Sequence, residues 1–225
     1  MVNRQETLAA LMHESVLVPE GFYDFSWLRL LVKVAEMTEE WAPVPVENQF
    51  GVFVGVVPTS DAAVRATYES LAAVHPSVVP LVDGDGPGIS YLADLRTLST
   101  PPRVAVRWPD GWTIENVVGS LLAADAPTVL PLVSNALNQA FQTPEGVATT
   151  LRTETKDGGL KGDPITNDIV ASVLSQHPLC AVRVRELLSA LSAVCRTGAA
   201  CPPLFTADTG RSDDAQAVFV FTPWP

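Results

Sequence analysis

Two rhythms of apolar residues divide this chain. Between residues 50 and 82 a strand-type run (Phe50, Val52, Phe53, Val54, Val56, Val57) stops at Pro58. Thr59-Ser60-Asp61 is a helix-start signal, and Val64, Tyr68, Leu71 and Ala72 then recur at helical spacing. His75-Pro76 closes that helix, and a second short apolar run (Val78, Val79, Leu81, Val82) leads into the glycine-rich turn 83–88. Strand, helix and strand with short joints predict a βαβ unit, and the rest of the chain is arranged around it.

Upstream, Asn3 with Glu6 is a capping-box pair that predicts a helix to about residue 15. Residues 16–23, with Pro19 and Gly21, read as a connector, and Asp24 as the cap of a helix reaching about residue 41. Trp27, Leu30, Leu31, Val34, Thr38 and Trp41 form its apolar stripe. The joint 43–46 is extended, residues 89–92 are a candidate short strand, and 103–108 alternates as a strand with one wet face.

From Thr113 the period turns helical. Helices are expected at about 114–124, 128–142, 144–153, 164–176 and 179–196, with Gly198 as a left-handed stop. Asp163-Pro164 is a cap followed by proline at the first helical position. The polar segment 154–162 is the candidate subdomain boundary in what otherwise reads as one domain, 1–225. A last strand is expected at 217–221. The sum is a mixed α/β (α+β) fold with a small mixed sheet, six or seven helices and a mainly helical C-terminal half.

Charge and composition narrow the function classes. Net charge is -11 at pH 7, and no run of clustered Lys and Arg exists to neutralise phosphates. Direct nucleic-acid binding and attraction to an anionic membrane are therefore not expected. Charged residues make up 17% of the chain against a usual ~25%, which suggests surface covered by partners. The N-terminal residues lack the basic and apolar regions of a signal peptide, and no uninterrupted apolar run approaches a membrane span. The three cysteines, all in the C-terminal third, read as free thiols in a reducing compartment.

Four constellations could carry chemistry. Asp208-Thr209-Gly210 matches the triplet that aspartic proteases use in pairs, but it stands once, only 15 residues follow it, and Arg211 replaces the usual small residue. A turn is the expected reading. Asp83, Asp85, Gly88 and Asp94 occupy positions 1, 3, 6 and 12 of a calcium-loop frame, with Pro87 where an oxygen ligand belongs. Asp83, Asp85 and Asp94 are thus the metal candidates, and weak ones. His177, Cys180, Cys195 and Cys201 resemble a zinc set by residue type, yet one continuous helix separates Cys180 from Cys195 by roughly 22 Å. The turn after Val57 lacks a glycine-rich phosphate loop, and Asp61 would repel an anion there.

With no catalytic or cofactor signature, the leading expectation is a non-enzymatic subunit of a larger protein assembly, such as a virus or phage particle. Its chain ends would be docked, and Trp27, Trp41 and Trp224 are the candidate contact residues. The location expected is cytoplasm or virion. The rival expectation is an α/β enzyme or small-molecule binder with its site at the strand C-terminal ends, near 58–61 and 83–88.

Overall fold

The computed structural model describes residues 4–41, 43, 45, 48–60, 63–210 and 216–224. The expected caps at Asn3 and Asp61, part of the joint 43–46, Arg211 and the extreme chain ends lie outside these residues.

The mixed α/β architecture expected from the pattern is the one observed. Six strands form one sheet: β1 (Ser15–Pro19), β2 (Val54–Val56), β3 (Val78–Val82), β4 (Val104–Arg107), β5 (Phe205–Ala207) and β6 (Ala217–Phe221). Their order is β2-β1-β3-β4-β6-β5. Every neighbouring pair is parallel except β5 with β6. The helices are α1 (Arg4–Ala10), α2 (Phe22–Met37), α3 (Phe50–Phe53), α4 (Val64–Ala72), α5 (Gly86–Arg96), α6 (Ile114–Leu122), α7 (Ala126–Leu137), α8 (Pro144–Arg152), α9 (Pro164–Gln176) and α10 (Pro178–Thr197).

Alternation along each strand sends side chains to two different layers. Val16, Val18 and Val78 meet Ala10, Val64, Tyr68 and Leu71 of α1 and α4, while Val82 and Ala105 meet Leu92 of α5. Leu17, Val79, Leu81, Val106 and Phe219 face the larger core built with α2 and α6–α10. Helices on both faces explain why β1 and β3 are buried at every position, as parallel strands usually are.

Several local expectations need correction. Residues 16–19 are a strand rather than a connector, and that strand lies between the two strands of the expected βαβ unit. β2 is therefore an edge strand. Residues 50–53 are a helical turn, which leaves only three residues of the expected 50–57 strand. Residues 89–92 belong to α5, not to a strand. Here the Asp85 side chain accepts from the Gly88 N–H at 3.0 Å and Pro87 sits in the first turn, so capping outweighs the two glycines. α1 stops at Ala10 and α2 at Met37, both short of their expected ends. β4 has no wet face beyond Val104, because Arg107 is buried in ion pairs. The stretch Ile114–Leu137 has the length and apolarity to cross a membrane, but it breaks at residues 123–125 and supplies core residues of α6 and α7.

Candidate functional site

In a sheet of this order the chain leaves β1 toward β2, then crosses back to β3. The crevice beyond the C-terminal ends of β1 and β3 is therefore the topological switch point, where ligands of open α/β sheets bind. What lies there follows from what each strand runs into. β1 ends at Pro19 and is followed by Glu20. Gly21 caps α2, whose first turn carries Asp24. β3 runs into Asp83, and Asp85 caps α5. β4 ends at Arg107 before Trp108, and Thr113 caps α6, whose first turn carries Glu115.

Four carboxylates meet at this edge. Glu20, Asp24 and Glu115 are only 7%, 6% and 4% exposed, and Asp83 is half-buried. The Asp83 N–H donates to Glu20 Oε2 at 2.9 Å, and the Thr113 hydroxyl donates to Glu115 Oε2 at 2.6 Å. Asp83 Oδ1 is buried and has no hydrogen-bond partner. Burial, then the charges of Glu115 and Glu20, holds the Asp24 carboxyl well above the usual carboxylate range. Burial, then the charges of Asp24, Glu20, Glu115 and Asp85, raises Asp83 in the same way.

Among the described residues no Lys or Arg forms an ion pair with Asp24, Asp83 or Glu115. Lys161 feels Glu115 but pairs with Glu154 at 3.2 Å and lies over the Tyr23 ring. The positive ends of α2, α5 and α6 oppose part of the repulsion. Close packing forces the carboxylates together. A Cβ on Gly84 would stand 1.6 Å from the Pro109 carbonyl oxygen, and one on Gly88 would stand 2.2 Å from that of Asp83. Only glycine lets the β3–α5 loop press onto the β4–α6 loop and wrap around Asp83.

The sequence candidates fare unequally. Asp83 is in the cluster and Asp85 beside it. Asp94 is not: it is exposed in α5, nine residues and about 14 Å of helix beyond Asp85. The calcium-loop frame is therefore broken by α5 itself. Among the described residues no three acidic, His or Cys groups stand ready to hold a metal ion in direct contact. Asp208 of the Asp-Thr-Gly triplet is the ion-pair partner of buried Arg107, at 3.1 Å. Cys180 and Cys195 are buried on one helix, and burial pushes their thiols up to about 11 and about 12.

The three tryptophans also separate. Trp27 is fully buried core, unavailable to a partner, and Trp41 is half-exposed just past α2. Trp224 donates its Nε1–H to Glu186 at 3.1 Å and lies against Phe221 and Arg183.

Glu20, Asp24 and Glu115 escape sequence reasoning because each looks like an ordinary helix-start or turn acid. The usable signal is Glu20, a carboxylate directly after the short apolar run 16–19 and before a glycine, the same pattern as Asp83-Gly84. No family model matches this chain, and no curated protein and no solved structure matches it.

Proposed function

We propose that this protein is a divalent-cation-dependent α/β protein that binds a phosphate-bearing ligand at the C-terminal edge of its sheet. The observation that carries the reading is the buried group Asp24, Asp83 and Glu115, which has no Lys or Arg ion-pair partner among the described residues. Buried like charges cost several kcal/mol unless compensated, here either by proton uptake at Asp24 and Asp83 or by a cation. A divalent cation would supply that compensation and would meet the unpartnered Asp83 Oδ1. Magnesium dehydrates reluctantly and keeps several waters, so carboxylates that do not form a tight cage can still hold it through water. An ion held by few carboxylates completes its shell with ligand oxygens, typically of a phosphate. The cation would polarise that phosphate and orient it toward the N-termini of α2, α5 and α6.

Calorimetric titration of Mg²⁺ and Mn²⁺ into EDTA-treated protein tests this. Saturable binding in the wild type that is lost in Asp83→Asn supports it. Heats no larger than those of potassium chloride at matched ionic strength defeat it.

A second reading, a subunit of a larger protein assembly, is supported by the low charged share and by large apolar side chains left exposed, among them Met12, Met37, Trp41 and Ile165. Light scattering on the purified chain separates the two. A strict monomer at all concentrations, with no partner in pull-downs, counts against the second reading.

A further inference from the structure

A second candidate site lies at the far end of α2 from the carboxylates. A cavity of 230 Å³ opens between the C-terminal half of α2, the segment 48–52 and α10. Among the described residues its one basic group is Arg185, 5% exposed. The Nη1–H of Arg185 donates to the Ala35 carbonyl, which closes the end of α2, and its Nε is sealed away from the cavity, so the guanidinium can offer the cavity only its remaining Nη2 end. A nine-tenths-buried guanidinium that lines a cavity suits a carboxylate held through a single charge-assisted hydrogen bond.

The rest of the cavity says what that carboxylate would be attached to. Val32, Phe50 and Leu188 give apolar walls, and Ser189 a hydroxyl. Glu36 and Glu39 stand on the rim, both exposed, and Glu39 accepts from the Gln49 amide at 3.0 Å. Two rim carboxylates disfavour a phosphate or a dicarboxylate. They favour a ligand with a positive group a few ångströms from its negative one. At ~30 Å³ per water-sized unit the space holds roughly six to eight non-hydrogen atoms.

We propose that this cavity binds a small apolar α-amino acid, with its carboxylate on Arg185, its ammonium toward Glu36 and Glu39, and its side chain against Val32, Phe50 and Leu188. The site does not depend on a cation and should work in EDTA.

The test is calorimetry and thermal unfolding with L-valine, isobutyrate (no amine) and valinol (no carboxylate). The expected result is saturable L-valine binding and a melting temperature that rises with its concentration. Each truncated analogue should bind about tenfold or more weakly, the effect of losing a charge-assisted hydrogen bond. Arg185→Met should abolish binding. Because Arg185 also holds the end of α2, Ser189→Leu, which fills the cavity and leaves the guanidinium in place, is the second variant and should abolish it too. Circular dichroism confirms that each variant is folded. The proposal is overturned if L-valine, L-alanine and L-leucine all fail to bind the wild type. Isobutyrate binding as well as L-valine, or full binding by Ser189→Leu, overturns it equally.

Discussion

Two groups of buried charges sit at the same edge of the sheet and are built on opposite terms. At the end of β4, Arg107 is 5% exposed and holds Asp208, 15% exposed, together with the solvent-facing Asp110. At the ends of β1 and β3, Asp24, Asp83 and Glu115 face one another with no such cation. The first group balances its charge within the chain and ties the β4–α6 loop to the segment after β5. The second leaves an imbalance that folding alone does not reward. The acids alone do not distinguish the two groups, since both draw on carboxylates in the loops and first helical turns that follow strands. What separates them is whether the fold delivers a countercharge, and that is the mark that turns a structural acid into a site candidate.

The comparison breaks most sharply at Arg107. Arg107→Met should destabilise the protein by about 3 kcal/mol, because Asp208 is left mostly buried without its partner. The exposed Asp110 adds little, since water screens it. Urea unfolding of wild type and variant measures the difference. A loss below about 1 kcal/mol would mean the pair contributes no more than a surface salt bridge.

The opposite sign is expected at Asp83. Without a cation, Asp83 is held so far above the carboxylate range that the wild type must take up a proton there on folding at neutral pH; Asp83→Asn removes that cost and should raise stability by about 1–2 kcal/mol in EDTA at pH 7. Magnesium should stabilise the wild type and leave the variant unchanged. The two groups would then respond to the loss of one charge in opposite directions. A variant less stable than the wild type in EDTA would place Asp83 with the structural acids.

The same contrast explains what could be read from the chain itself. Three of the C-terminal helices were legible because their ends are chemically marked: Thr113 before α6, the Asp163 cap of α9, and left-handed Gly198 after α10. β3 and β6 were legible as short apolar runs bounded by turns. β1 was not, since four apolar residues ending in proline look like a linker until a sheet closes over them. α5 was hidden by Gly86-Pro87-Gly88, although Asp85 followed by Pro87 is a helix start by capping rules. Asp83 could be picked out because it follows a recognisable strand. Glu20, Asp24 and Glu115 could not, because their meeting depends on β1 lying between β2 and β3. That order is a property of the whole sheet, not of any local pattern.

Asp94 supplies the smallest effect and the cleanest control. In the sequence it is the twelfth position of a calcium-loop frame that begins at Asp83; in the fold it is an exposed helical residue three turns away from Asp83. Asp94→Asn should therefore change stability by no more than about 0.5 kcal/mol and leave Mg²⁺ and Mn²⁺ titrations superimposable on those of the wild type. A Ca²⁺ titration belongs in the same experiment, because a frame that worked as written would favour the larger ion and lose it on this substitution. If Asp94→Asn weakened cation binding as much as Asp83→Asn does, the carboxylates would be gathering along α5, not at the switch point. The contrast between the two charge groups would then have to be redrawn around the helix rather than the sheet edge.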